Sequence, residues 1–418
     1  MQRTRLLTLP LSVLAGLAAL GTARADELFV ASPTTLIQQG NPFGGAFTTI
    51  GACGGAARSM TLAGTRLLIG DPLGRIYQKA PEDAFVNFVF NVPNDATALA
   101  MHAGNLLAAG SDGTIVRVDA VNGAVLDTLT VPVPVTALHV EGDTVYAGSS
   151  FGIVERGSAL TGDFQFWGTC GGPVNSLTAD ATHLILGSSN GQIYRIAFAT
   201  GQLDGSFAAG NDARAVVVQM DDLLVGGSDA SVRRLVRTTG ALKGTFTASV
   251  EVSALALLPR AEPGVIYCYG GTCPCGNDDP GAGCAHGLGW GGQLSATGSS
   301  SVSADDLRLY AFGLPMNKTT RFYLSQHTTM LPLGDGLLCA GGGGSGYPPL
   351  RFPIANSGPS GSTSTPQNLV AWCAQRFPAT GVIVPGQTWH AQAWFRDPLS
   401  PCGFRFNTTN SYAVTFTP

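Results

Sequence analysis

Short apolar runs, each ending in a small residue and a turn, recur at a fixed interval through the first three-fifths of the chain. RLLIG, NLLAAG, TVYAG, HLILG and DLLVG stand in register, turn formers such as GDPLG, GSDGT, GSSNG and GSDAS follow, and Ile76, Ile115, Val154, Ile193 and Val232 then share one offset. Apolar runs of this length bounded by Gly, Asp, Asn and Ser predict strands joined by tight hairpins. Segments aligned from Ser59, Ala98, Ala137, Ser176, Ala215 and Ala254 are 39 residues apart with no insertion. A period near 40 with strand-like content predicts a β-propeller in which each unit is one four-stranded blade.

The two ends of this region complement each other. Asp26 to Arg58 keeps the register, with Ala31 at the small-residue position and Ile37 at the apolar one, but lacks a first strand; Ala254 to Leu258 is a first strand with nothing repeated after it. Joining them completes a sixth blade, closes the ring and removes exposed sheet edges. Residues 26–260 therefore read as a six-bladed propeller.

Before it, Arg3 and Arg5, an apolar run from Leu6 to Leu20, and Ala23-Arg24-Ala25 form the pattern of a cleavable signal peptide over residues 1–25. The apolar run is shorter than the roughly 20 residues of a spanning helix, and no later segment is long and apolar enough to span. The protein is expected to be secreted, in the extracellular space, at the cell surface or in the periplasm. Loss of Arg3, Arg5 and Arg24 leaves 20 basic against 27 acidic residues, a mature charge of −7. An acidic chain with no basic run argues against nucleic acid or anionic lipid as a partner.

After Pro259 the period stops. CPCGNDDPGAGC opens a second unit, residues 261–418, whose alternating stretches DLRLYAFGLP, RFYLSQHTTM, TWHAQAWFRD and YAVTFTP predict a β-sandwich without a helix. Gly341 to Pro366 reads as a long mobile loop. The whole is thus all-β, a propeller followed by a disulfide-braced sandwich.

Seven of the nine cysteines lie in this last third, and export favours disulfides over metal ligands. Cys273 and Cys275 are too close to bridge each other, so each is expected to seek a distant partner among Cys284, Cys339, Cys373 and Cys402, fastening the CPC segment to the GLLCAGG and SPCG strands. Cys268 is expected to be unpaired or bonded to Cys373. Two alternatives compete: zinc on Cys273, Cys275, Cys284 and His286, whose spacing fits no common zinc motif, and calcium on Asn277, Asp278 and Asp279, which are equally ordinary turn residues. No cofactor is otherwise implied.

In a propeller the residue before each innermost strand lies at the mouth of the central channel. Here these are Arg58, Thr97, Thr136, Asn175, Arg214 and Ser253, all polar. They form the candidate ligand site. Asp95, Asp212 and Glu251, one step outward, read as solvated acids in preference to partners for the arginines. Cys53 and Cys170, in GACGG and GTCGG, are three repeats apart and read as buried thiols, with a shared metal or cross-channel staple as the sharper alternative. Gln39, Gln78, Arg117, Arg156, Arg195 and Arg234 share a mid-blade offset and are expected to pair between neighbouring blades. Trp394, out of phase with Trp389 and Phe395, is a possible exposed contact for carbohydrate or protein.

The units, as in NLLAAGSDGTIVRVDAVNGAVL and HLILGSSNGQIYRIAFATGQL, resemble PQQ-like and WD40-like propeller repeats of secreted bacterial proteins. They lack the recurring Trp of quinoprotein blades and the Trp-Asp pair of WD repeats, so the resemblance implies architecture and no quinone. The C-terminal unit, on CPCGNDDPGAGC, GDGLLCAGG and AWFRDPLSPCG, resembles a C-terminal module of large secreted bacterial proteins and implies export and disulfide bracing.

The leading expectation is a non-enzymatic extracellular binding protein, its ligand a carbohydrate or protein at the channel mouth. An extracellular hydrolase or lyase acting on a carbohydrate or lactone is the alternative, and a cell-surface attachment or secretion-sorting role for the C-terminal unit a second.

Overall fold

The computed structural model describes residues 27–44, 47–81, 83–258, 262–341 and 349–418. The expected signal peptide over residues 1–25 and the junction at 259–261 lie outside them.

Six four-stranded antiparallel sheets follow one another through residues 27–258. Five run in chain order, and their first strands begin at Ser59, Ala98, Ala137, Ser176 and Ala215. The remaining sheet has the order Ala254–Leu258, Glu27–Ala31, Leu36–Gly40, Thr48–Ala52, with Ala31 opposite Ala254 and Glu27 opposite Leu258. Each first strand packs on the next, and Ala254–Leu258 touches both Ala215–Gln219 and Ser59–Ala63. This is a propeller-like repeat of sheets.

The regularity has a local cause. At each hairpin an N–H meets the carbonyl four residues on, as Asp71 N to Arg75 O at 3.1 Å and Ser149 N to Ile153 O at 2.9 Å. In four of the six hairpins the residue between them with positive φ is Gly74, Gly113, Gly152 or Gly191; Thr35 and Ala230 hold it in the other two. A Cβ on Gly74 would stand 2.3 Å from the Asn94 carbonyl, so the turn requires glycine there twice over. Apolar faces then pack between consecutive sheets, Leu68 and Ile76 of one with Leu99, Leu106 and Val116 of the next. Each fully buried aliphatic side chain stabilises by roughly 1.5–3 kcal/mol.

The mid-sheet arginines pair inside their own sheet, and two of them also bond the neighbouring sheet as expected. Within their own sheets Arg195 bonds His183 at 3.1 Å, Arg234 bonds Asp222 at 2.7 Å and Arg117 bonds Asp127; across to the neighbouring sheet Arg117 reaches Ala159 O and Arg234 reaches Pro42 O. Long side chains on a pleated strand meet their cross-strand neighbours first.

The C-terminal unit has a seven-stranded sheet centred on Ser411–Thr415, Thr388–Arg396 and Thr319–Ser325, and a three-stranded sheet of Gln293–Thr297, Arg308–Phe312 and Thr363–Ser364. Leu294, Leu309, Phe322, Trp389, Phe395 and Tyr412 from both form one core. Three expectations are corrected. Leu369–Arg376 is a helix, and Leu369, Val370 and Cys373 are buried in the core. Its Asn368 cap makes no side-chain bond; Asp305 instead accepts from Val370 N at 2.7 Å and Ala371 N at 3.0 Å. A cap supplied from 65 residues away leaves no local start signal.

The stretch from Gly341 to Pro366 is not one loose loop. It contains strands Leu350–Arg351, Ala355–Asn356 and Thr363–Ser364, and Phe352, Ser357 and Thr365 are buried; residues 342–348 lie outside the description. Ser357 Oγ donates to Pro315 O at 2.7 Å, which ties the segment down.

Disulfides join Cys268 to Cys339, Cys273 to Cys284 and Cys275 to Cys402. Cys275 fastens the CPC segment to the SPCG turn as expected, but Cys273 closes a local loop, Cys268 takes Cys339, and Cys373 is a free buried thiol. Their sulfurs are committed, so the zinc set is not assembled. His286 instead is buried, its Nε2 2.9 Å from Gly313 O. Asn277 donates to Ala285 O and Asp335 O, Asp278 accepts from Cys273 N, and Asp279 from Gly281 N and Gly291 N, so all three are engaged with backbone groups.

Burial lowers the His286 imidazole to about 4. The unfolded chain, near 6.5, binds this proton when the native one does not, so stability is lost as pH falls from 6.5 towards 4. The expected loss is about 3 kcal/mol at most. Urea melts at pH 7 and pH 4.5 check it: His286→Gln should flatten part of the slope, and an unchanged slope would remove His286 as its source.

The two units share an interface. Arg234, Lys243 and Asp222 are buried, with Arg234 and Lys243 nitrogens each 2.7 Å from an Asp222 oxygen. Arg234 also lies 5.0 Å from the Phe312 ring, and Lys243 5.8 Å from Trp290. Thr245 N donates to Pro359 O at 3.3 Å.

Candidate functional site

All six mouth residues line one opening: Arg58, Thr97, Thr136, Asn175, Arg214 and Ser253, with the first residues of the strands behind them. Each sits where its strand enters the sheet, and in five of the six the residue's own N–H fixes it there. Arg58, Thr136, Asn175 and Arg214 donate to Gly70 O, Gly148 O, Gly187 O and Gly226 O at 2.8–2.9 Å, and Ser253 to Ala31 O at 2.8 Å.

The hydroxyls at this offset have a structural duty. Thr97 Oγ1 is 3.0 Å from Ala109 O and 2.8 Å from Val135 O, so it links its own sheet to the next. Thr136 reaches Gly148 O and Val174 O, and Ser253 reaches Ala31 O and Ala57 O, in the same way. Their polar character thus follows from inter-sheet stitching.

Arg214 is also engaged. Its Nε is 2.6 Å from Asp212 and its Nη1 3.2 Å from Glu251, so two of the three outer acids pair with it, contrary to the solvated reading. Burial pushes the Asp212 carboxyl up, but bonds from Ser228 and Arg214 outweigh it and hold the group below the usual range. Asp95 accepts from Ser111 N at 2.8 Å. The first-strand geometry that aligns these side chains brings Asp212 and Glu251 to one guanidinium, which a list of offsets does not reveal.

Arg58 and Asn175 remain. Both are exposed, and Arg58 makes no ion pair or side-chain hydrogen bond among the described residues. Asn175 uses only its Oδ1, accepting from Ser189 N at 2.6 Å, which leaves its amide N–H groups outward. The cavity measures about 80 Å³, far below the roughly 300–1,000 Å³ of small-molecule sites. Its lining contains no Asp, Glu, His or Tyr.

Cys53 and Cys170 both keep free thiols. Cys53 packs with Tyr77 and Cys170 with Tyr194, the tyrosine of the following sheet in each case, so they sit between sheets. Burial pushes the Cys53 thiol up to about 12 and raises that of Cys170, so both stay protonated.

Trp394 lines a larger cavity, about 580 Å³, on the outer face of the seven-stranded sheet with Arg321, Arg351 and Arg396. The sequence reading found Trp394 but not the arginines, which are scattered along the chain and assembled only by strand pairing.

No family model matches the chain, and no curated protein does. Among solved structures, one titled as a nidogen/laminin complex is similar at 11% identity and a TM-score of 0.50, covering 56% of this chain and 98% of that one. The WD40 β-propeller domain of Doa1 is similar at 14% identity and a TM-score of 0.44, covering 70% and 92%. With the six successive four-stranded sheets, the first of these likenesses gives the chain a propeller-like repeat fold.

Proposed function

We propose that this protein is an exported, non-catalytic binding protein whose six sheets form one closed propeller and whose mouth, at Arg58 and Asn175, engages an extracellular carbohydrate or protein. The pairing of Ala254–Leu258 with Glu27–Ala31 supports closure. Arg58 and Asn175 are 117 residues apart, three repeats, and in a six-fold ring that sets them on one diameter. Three disulfides support an oxidising compartment after export.

The observation that carries the reading is the contrast within the ring: three hydroxyls stitch sheets and Arg214 pairs with acids, while Arg58 and the Asn175 amide keep their donors free. A mouth of about 80 Å³ suits one carboxylate-sized group of a larger ligand lying over the propeller face. A charge-assisted bond from a guanidinium is the stronger kind of contact available there.

The test is retention of the purified mature protein on immobilised extracellular polysaccharides and proteins, with parallel turnover assays on polysaccharides and lactones with and without EDTA. Retention is expected on at least one matrix, weakened about tenfold in Arg58→Ala, with no turnover. EDTA-sensitive turnover would replace this reading by the hydrolase or lyase one.

A further inference from the structure

We infer that the outer face of the C-terminal seven-stranded sheet is a second binding site, built for an acidic polysaccharide. It is independent of the propeller mouth.

The site follows from strand alternation. On Thr319–Ser325 and Thr388–Arg396, Phe322, Leu324, Ala393 and Phe395 turn into the core. Their neighbours Arg321, Tyr323, Trp394 and Arg396 therefore share the opposite face. Register completes it: Arg321 lies opposite Trp394, Arg351 opposite Tyr323, and Phe406 opposite Arg396. Directly opposed residues hold their Cβ atoms about 5 Å apart, so Arg321 stands beside the Trp394 indole, Arg396 lies over it, and Arg351 lines the same cavity from across Tyr323.

The charge is unbalanced. The lining has three guanidiniums and no carboxylate, and none of the three forms an ion pair among the described residues. Arg321 Nε is buried with no hydrogen-bond partner. A buried N–H without an acceptor is destabilising, and an incoming carboxylate or sulfate supplies the acceptor. Arg351 and Arg396 are exposed, and the Arg396 guanidinium lies over the Trp394 ring at 5.4 Å, so a cation is stacked on the indole and held at the cavity.

The shape suits a sugar. About 580 Å³ is within the range of small-molecule sites, and Leu333, Leu338 and Ile354 form apolar walls that match the C–H face of a pyranose ring. An acidic peptide fits less well, because the end strands of the seven-stranded sheet that border the cavity, Leu350–Arg351 and Phe406–Thr408, are too short to pair with more than a few residues of peptide backbone. Single-stranded nucleic acid gains most from a row of exposed stacking rings along a basic groove; here Tyr323 is buried, Trp394 and Phe406 are half-buried and tilted against each other at 5.8 Å, and the chain is net acidic.

Isothermal titration of the mature protein tests this with polygalacturonate (carboxylate), dextran sulfate (sulfate), unmodified dextran and an oligothymidylate. Binding is expected to polygalacturonate or dextran sulfate, the two arms telling carboxylate from sulfate, and not to dextran. Arg351→Ala and Arg396→Ala, both exposed and so not expected to disturb folding, should each weaken it about tenfold, and Trp394→Ala should do so as well. All titrations are made in the Arg58→Ala background, which removes the mouth's contribution, and Arg376→Ala, an exposed arginine outside both sites, should leave the binding unchanged, so failure here and failure at the mouth are separable. No binding to either polyanion, binding to oligothymidylate alone, or full affinity in Arg351→Ala and Arg396→Ala overturns the site.

Discussion

Replacing Asp222 by alanine is expected to lower the stability of the folded protein by about 3–5 kcal/mol, the range for stripping a buried charge of its partner. Asp222 holds Arg234 and Lys243 at 2.7 Å each, and all three side chains are 4% exposed or less. Without it two cations are left facing each other in a site closed by Phe43, Phe246 and Phe312. Arg234 keeps its bonds to Gln219 Oε1 and Pro42 O, which satisfy donors but carry no negative charge. Because Phe312 and Trp290 belong to the C-terminal unit, the loss should loosen the interface as well as the propeller. Denaturant unfolding followed by tryptophan fluorescence measures it. The triple variant Asp222→Leu, Arg234→Met, Lys243→Met should recover most of the loss, since an apolar replacement removes the stranded charges. A loss below 1 kcal/mol for Asp222→Ala would mean that solvent reaches the triad.

Removing the Cys275–Cys402 disulfide should be the most damaging of the three cystine losses. The bridges span 127, 71 and 11 residues for Cys275–Cys402, Cys268–Cys339 and Cys273–Cys284. Loop-closure entropy in the unfolded chain gives about 5, 4 and 3 kcal/mol respectively, as upper estimates. The long bridge also joins the segment that opens the C-terminal unit to a turn near its end, so its loss frees both. Paired serine variants, Cys275→Ser with Cys402→Ser and Cys273→Ser with Cys284→Ser, compared in urea, should rank in that order. The reverse ranking would contradict an origin in the unfolded chain.

The propeller region was legible because its signal is periodic. The small residue, the turn and the aliphatic after it recur at fixed offsets, and the six strand starts, from Ser59 to Ala254, fall where that recurrence sets them. The same arithmetic gathered the six mouth residues at one opening. It could not say which of them had donors to spare, because Thr97, Thr136 and Ser253 bond to carbonyls of a neighbouring sheet, and an offset carries no information about distance between sheets. The C-terminal unit has no repeat, and its pairing is non-local. Its short helix is capped by Asp305 from another part of the chain, its cysteines chose partners by proximity in three dimensions, and Arg321, Arg351 and Arg396 become a cluster only through register. A net acidic composition therefore coexists with a local basic cluster that only strand register assembles.

Only a closed ring makes the mouth one opening with residues from all six sheets. Native-state hydrogen exchange of the mature protein tests this at Glu27–Ala31, whose partner strand Ala254–Leu258 lies at the far end of the propeller sequence. Protection of the Glu27–Ala31 amides equal to that of Arg66–Gly70 and Asn105–Ala109, the matching strands of internal sheets, is the predicted result. Exchange of Glu27–Ala31 and Ala254–Leu258 at the rate of loops, while those internal strands stay protected, would contradict it.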